Sequence, residues 1–202
     1  MEPSKYLSIL HTAEQLKNQT RHSLTSSGRH ESVAEHTFRL CMMAWFCRDE
    51  FPDLAMNRVL QMCLFHDMGE AFTGDIPAFR KTDRDETRET DTVGQWIGTL
   101  PAPYRQELTG LFLEMQSLQT PESKLYKALD KLEALIQHNE AGAATWLPLE
   151  YDLQLRYGQQ ECREFPFTRA LRRLVEEESR ELIQKDRENP APKNLPPEKA
   201  GQ

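Results

Sequence analysis

Cysteine is scarce in this chain: the 202 residues hold only Cys41, Cys47, Cys63 and Cys162, and no two of them are spaced as a CxxC pair. That argues against a zinc knot of paired thiolates. Three of the four sit in apolar helical stretches, where a reduced thiol packs as a small hydrophobe. The expected compartment is therefore a reducing cytoplasm. No apolar run approaches the ~18 residues that a membrane span requires, and the segment from Met1 to Tyr6 lacks the apolar core of a secretory signal. Basic residues are outnumbered, 25 Lys and Arg against 32 Asp and Glu, for a formal net charge of −7. The deficit is concentrated in residues 61–120, with 10 acids and 5 bases. Phosphate neutralisation along a nucleic acid needs clustered Lys and Arg, so no nucleic-acid partner is expected, and a membrane-surface role is disfavoured for the same reason. A glycine-rich phosphate loop, an internal repeat and strand alternation of useful length are all missing.

What remains is helical pattern. The length suits one domain with a substantial core. Tyr6, Ile9, Leu10, Ala13 and Leu16 recur at helical spacing, and the polar stretch 18–31 reads as a loop. Ser32 followed three residues later by Glu35 is a capping box that opens a helix running through Leu40, Met43, Ala44 and Phe46 toward Pro52. The next helix is expected from Met56 to Phe72, ending in the loop signature Thr73-Gly74-Asp75-Ile76-Pro77. An exposed helix follows over 83–99, then one carrying Leu108, Leu111, Phe112 and Met115. Thr120-Pro121 opens another, with Leu125, Leu129, Leu132 and Ile136 on one stripe, and two more fall near 150–158 and 167–187. The fold class is all-α, a bundle of about seven or more helices over residues 1–188. The Pro-rich tail 189–202 is expected to be disordered.

The chemistry lies in the histidines and their acidic neighbours. His36 stands near the first turn of the capped helix, and His66-Asp67 near the end of the next. Asp130 stands at the edge of the Leu stripe of the long helix. Two imidazoles and two carboxylates make a mixed N/O set suited to a borderline divalent ion. His66-Asp67 by itself is weak, since such dipeptides arise by chance and a helical His is more often structural. Its context is informative: Leu60, Met62, Cys63, Leu64 and Phe65 run straight into it, and an ionised Asp in apolar surroundings needs a strong partner. Glu70 is four residues past His66, on the same face if the helix continues. Asp75 sits just beyond the helix end. Alone, Glu70 reads as a solvated surface residue and Asp75 as a turn residue.

Glu31-Ser32-Val33-Ala34-Glu35-His36, His66-Asp67-Met68-Gly69-Glu70, Thr73-Gly74-Asp75-Ile76-Pro77 and Asp130-Lys131-Leu132-Glu133, in this order, resemble the HD-domain metal-dependent phosphohydrolases, within them the 5′-deoxynucleotidase branch. The resemblance extends over roughly residues 5–185. It implies a compact helical HD domain, often a homodimer, holding one divalent ion (Mn, Co, Fe, Ni or Zn) on His36, His66, Asp67 and Asp130. Glu70 and Asp75 would be the catalytic carboxylates. Arg21, 15 residues before His36, matches the branch's phosphate-contacting arginine, and a guanidinium can fork two bonds to a phosphate. The chain departs from the branch beside it. Where relatives carry a nearby Trp, this chain reads Arg21-His22-Ser23-Leu24, so His22 supplies the only ring and joins Arg21 as a candidate substrate contact. Lys131 and Glu133 read either as orienters of the ligands or as a solvated charge pair.

No histidine lies between Asp67 and Asp130, and His138 follows Asp130 by about two helical turns. The site is accordingly expected to be mononuclear. The leading function is release of phosphate from (deoxy)nucleoside 5′-monophosphates, small-molecule substrates, by metal-activated water. Two alternatives stay open: hydrolysis of another nucleotide-like or small phosphate ester, and a metal-binding scaffold without turnover.

Overall fold

The Ser32 hydroxyl accepts the backbone N–H of Glu35 (3.3 Å) and the Glu35 carboxylate accepts the N–H of Ser32 (2.9 Å), so the capping box forms as its sequence dictates. It opens helix α2, Val33–Phe46, in a computed structural model that describes residues 1–190. Around it the chain runs α1 (Pro3–Asn18), a hairpin of β1 (Thr20–Leu24) and β2 (His30–Ser32), α2, α3 (Met56–Phe65), α4 (Glu70–Thr73), α5 (Asp83–Gly98), α6 (Ala102–Ser117), α7 (Pro121–Ala141), α8 (Glu150–Arg156) and α9 (Pro166–Glu188). The all-α expectation holds apart from that hairpin. Of the tail expected to be disordered, 191–202 lie outside the described residues.

Three local expectations are corrected. The stretch 18–31, read as loop, is largely the hairpin, closed by a Thr25–Gly28 turn in which Gly28 has a positive φ of 84°. Helix α2 stops at Phe46 rather than near Pro52, giving way to a short 3-10 turn at Arg48–Glu50. The helix expected over Met56–Phe72 breaks at Phe65. From the break into the first residues of α4, the N–H groups of Met68, Glu70 and Ala71 bond back three residues, a tightening that re-aims the chain.

By contact density the chain divides into two units. The first holds Met1–Arg21 and Ser32–Lys127. In it α2 packs on α3, α1 on α2 and α4, and α5 on α4 and α6. Leu16, Val33, Met68, Ala71, Val93, Trp96, Ile97 and Leu100 form a core cluster there. The buried Val93, Trp96 and Ile97 give α5 an inward stripe, although its sequence is mostly charged.

The second unit holds His22–Glu31 and the chain from Ala128 on. Buried polar groups knit it together. Gln154 Nε2 donates to Leu135 O and Asn139 Oδ1 (2.7 and 2.8 Å), and Asn139 Nδ2 donates to Val175 O (3.0 Å). Gln137 Nε2 ties α7 to the hairpin through Leu24 O (2.7 Å). Each such group is satisfied, which keeps its burial from costing stability.

Candidate metal centre

Packing of α2 against α3 brings His36 and His66 together, their rings tilted by 59°. His36 is fully buried one turn past the Ser32 cap, and its ring centroid lies 5.3 Å from that of His66. His66 is the C-cap of α3, where the last carbonyls of a helix lack backbone partners. Its Nδ1 lies 2.9 Å from Cys63 O. A carbonyl can only accept, so the proton of a neutral His66 ring sits on Nδ1 and leaves Nε2 as a bare lone pair.

That lone pair lies 3.2 Å from His36 Nε2 and 3.0 Å from Asp67 Oδ2, and His36 Nε2 is 3.8 Å from the same oxygen. Two acceptors, His66 Nε2 and Asp67 Oδ2, thus face each other at 3.0 Å, and they repel unless a proton or cation stands between them. Asp67 Oδ2 is buried with no hydrogen-bond donor in line. Two ligands about 2.0–2.2 Å from a common ion, at angles between 90° and tetrahedral, lie about 3.0–3.5 Å apart; the 3.2 and 3.0 Å spacings fit that window and the 3.8 Å one is wider. His36, His66 and Asp67 are such a group by distance. Burial pushes the Asp67 carboxyl up, but His66, His36 and Arg21 together outweigh it and hold the group well below the usual carboxylate range.

Glu70 does not ride a continuing helix with His66. It opens α4 after the break, and is itself buried, with Oε2 lacking a hydrogen-bond partner. Burial pushes its pKa well up, the charges of Asp67 and Asp75 push the same way, and Arg21 opposes them. Asp75 is aimed by Gly74, the C-cap of α4, whose φ of 76° favours glycine. Arg21 Nη1 lies 3.6 Å from Asp67 Oδ2. The structure therefore gathers Arg21, His36, His66, Asp67, Glu70 and Asp75 within the first unit.

His22 and Asp130 belong to the second unit. His22 Nε2 lies 3.1 Å from Oε1 of the buried Glu150, and His138 Nε2 3.9 Å from the same atom. Burial raises the Glu150 pKa, yet the His22 hydrogen bond, the His138 charge and the Leu147 N–H more than offset it, holding the carboxyl below its ordinary value. Asp130 stands on α7 and is partly buried. Lys131 Nζ meets the Tyr157 hydroxyl at 2.5 Å and lies 4.2 Å from the ring centroid, so it is neither a solvated charge nor part of a Lys–Glu pair on an open face.

One pair near the first-unit site was missed in the sequence. Lys81 Nζ lies 2.5 Å from Glu89 Oε2, both partly buried, and the Glu89 side chain covers Gly69. A Cβ on Gly69 would stand 2.4 Å from Glu89 Cγ. The available signal was the Gly inside His66-Asp67-Met68-Gly69-Glu70, a residue that invites close approach. Gly69→Ala is expected to destabilise the protein by about 1–3 kcal/mol through overpacking, seen as a lowered melting temperature. An unchanged melt would place Glu89 elsewhere.

A family model described as HD domain matches residues 13–166. A 5′-deoxynucleotidase of Danio rerio is 35% identical over 114 residues, 54% of this chain and 55% of its own length, and one of Homo sapiens is 33% identical over 114 residues, 55% of each. The chain thus spans about half the length of these curated relatives. A crystal structure of a predicted metal-dependent phosphohydrolase from Magnetospirillum magnetotacticum MS-1 superposes with a TM-score of 0.76 at 25% identity, covering 89% of this chain and 93% of that one. A conserved hypothetical protein from Pyrococcus furiosus gives a TM-score of 0.64 at 26% identity, covering 86% and 99%.

Proposed function

We propose that this chain, which belongs to the HD-domain family, is a metal-dependent phosphomonoesterase that releases phosphate from (deoxy)nucleoside 5′-monophosphates. The observation that carries the reading is the convergence of His36 Nε2, His66 Nε2 and Asp67 Oδ2 beside a buried carboxylate whose proton affinity is raised. The names of the curated relatives support the substrate class. In this reading residues 1–188 act as one HD domain, and Asp130 completes the ligand set for a single divalent ion. Bound there, a divalent ion supplies Lewis-acid polarisation and makes water acidic enough to ionise near neutral pH.

The chain's own residues do the rest. Arg21 forks hydrogen bonds to the phosphoryl oxygens, and His22 contacts the substrate beside it. Glu70 takes the proton from the attacking water, a role suited to a carboxylate held at a high pKa. As the bond from phosphorus to the 5′ oxygen breaks, Asp75 is the second carboxylate through which that proton reaches the leaving oxygen.

The test offers the purified protein, loaded with Mn²⁺ or Co²⁺, a panel of ribo- and deoxynucleoside 5′-monophosphates and simple phosphate esters, with released phosphate measured. Faster release from the nucleotides is expected. Equal rates on unrelated esters would overturn the nucleotide assignment, and no release from any substrate would overturn the hydrolase.

A homodimer in the cytoplasm completes the reading. Helix α2 exposes Phe38, Met42, Trp45 and Phe46, the outer two 69% and 74% exposed, an apolar face of the kind that partners cover. None of the four cysteines is in a disulfide, and burial pushes the Cys47 and Cys162 thiols up to about 11 and about 12, so both stay protonated core groups. Among the described residues no helix is long and apolar enough to cross a membrane. Light scattering should find a dimer, and Phe38→Glu with Trp45→Glu should convert it to monomer. A dimer untouched by both substitutions would place the interface elsewhere.

A further inference from the structure

The segment that leaves α4 carries Asp75 at its start and Lys81 at its end. It is folded back on itself: the N–H groups of Arg80 and Lys81 both donate to Pro77 O, at 2.7 and 3.0 Å. Immediately after Lys81, Thr82 caps α5. The Thr82 hydroxyl accepts the Asp85 N–H (3.4 Å), and Asp85 Oδ2 accepts the Thr82 N–H (3.0 Å). Lys81 is thus pinned between a turn and a capping box. Its ammonium is fixed by Glu89, whose methylene lies over Gly69, the residue directly before Glu70 and two after the Asp67 ligand candidate. The bare Cα of Gly69 is what lets Glu89, and the lysine it holds, come this close to the site.

Two features set this pair apart from an ordinary surface ion pair. Burial lowers the Lys81 pKa, but the Glu89 bond and charge, with the charges of Glu70 and Asp67, more than restore it, so the group is cationic and electrostatically in touch with both site carboxylates. An ammonium has three donors, Glu89 engages one, and the side chain remains 24% exposed. The neighbourhood also needs positive charge. Asp67, Glu70, Asp75 and Glu89 are all acidic, and a phosphate dianion brought among them meets repulsion that Arg21 and one divalent ion offset only in part.

We propose that Lys81 is a second phosphate-contacting cation of this site, held beside Glu70 by Glu89 and directed to a phosphoryl oxygen of the substrate and of the product phosphate. The inference rests on the phosphomonoesterase reading for the identity of the site, but its test does not depend on turnover. Glu89 acts as a positioning residue: it fixes a flexible four-carbon side chain that would otherwise lose rotamer entropy on meeting the ligand.

The experiment titrates inorganic phosphate into the full, Mn²⁺-loaded chain by calorimetry, for wild type, Lys81→Met, Lys81→Arg and the double variant Lys81→Met/Glu89→Gln. The double variant removes the carboxylate that the single one strands, so it serves if Lys81→Met folds poorly. Loss of a charge-assisted hydrogen bond should weaken phosphate binding about tenfold or more in both methionine variants. Lys81→Arg should stay within about threefold of wild type, and the double variant should keep its bound manganese and its melting temperature. Phosphate affinity in the double variant within about twofold of wild type would overturn the proposal, as would absence of phosphate binding by the wild type. If wild type binds phosphate in a Lys81-dependent way yet releases none from nucleotides, the inference stands and the proposed function falls. If it hydrolyses nucleotides while the double variant binds phosphate normally, the reverse holds.

Discussion

His66→Ala is expected to strip the protein of its metal and to lower phosphate release by about 10³-fold or more. The Nε2 lone pair of His66 is the point on which His36 and Asp67 converge, at 3.2 and 3.0 Å, and its direction is set by the Cys63 carbonyl at 2.9 Å. Alanine removes both the donor atom and the bond that orients it, and water activation at neutral pH goes with the ion. Elemental analysis after dialysis, alongside a phosphate-release assay, checks both halves. A variant that retains one equivalent of metal would mean that the centre lies elsewhere. A chelator-stripped wild type should melt close to the variant, because both lack the same cation.

Glu70→Gln is expected to separate metal from turnover. The amide keeps the shape of the side chain, so bound metal should persist, while loss of the base should slow phosphate release by about 10²–10⁴-fold. An unchanged rate would remove Glu70 from the chemistry. The same substitution should raise the melting temperature of the metal-free protein. The fold holds the Glu70 pKa well above its ordinary value, because burial and the charges of Asp67 and Asp75 disfavour the carboxylate. A raised folded pKa costs stability as pH climbs through it, and costs nothing below the unfolded value. The gain from glutamine should therefore be present at neutral pH and vanish in acid. For a chain of this size ~1 kcal/mol moves the melting temperature by ~2–4 °C, within reach of an ordinary thermal scan.

Helix starts were the most legible part of the fold, because their signals are local. Ser32 with Glu35 and Thr120 with Pro121 open α2 and α7 where expected, the latter with Thr120 Oγ1 accepting the Ser123 N–H at 3.2 Å. The ends of α2 and α3 were not legible, since no glycine or proline follows either directly. Phe46 ends α2 six residues before Pro52. His66 ends α3 because its own side chain takes up the Cys63 carbonyl, an event that apolar periodicity cannot announce. The hairpin escaped notice because β2 has three residues, too few for alternation to register.

The site divides in the same way. His36, His66 and Asp67 could be named from the order of the motifs, and they come together because α2 packs on α3. The grouping of Glu70 with them arose by a different route from the one expected, through a chain break rather than a shared helix face. Lys81 and Glu89 were invisible. Glu89 lies in Asp83–Gly98, a run whose many charges read as a solvated face, and only the close approach to Gly69 reveals that this part of α5 is turned toward the site. The Glu150 partner of His22 was invisible for a plainer reason: 128 residues separate them, and no spacing rule spans that distance.

The central claim of the proposed function is that hydrolysis of a phosphate monoester depends on one divalent ion, which His36, His66 and Asp67 would hold. The most direct measurement strips the protein with chelator, adds Mn²⁺ stepwise, and follows phosphate release from a deoxynucleoside 5′-monophosphate. The account predicts no release from the stripped protein and a rise that saturates at one equivalent of metal. Release that persists after stripping, or that saturates only at two equivalents, would contradict it.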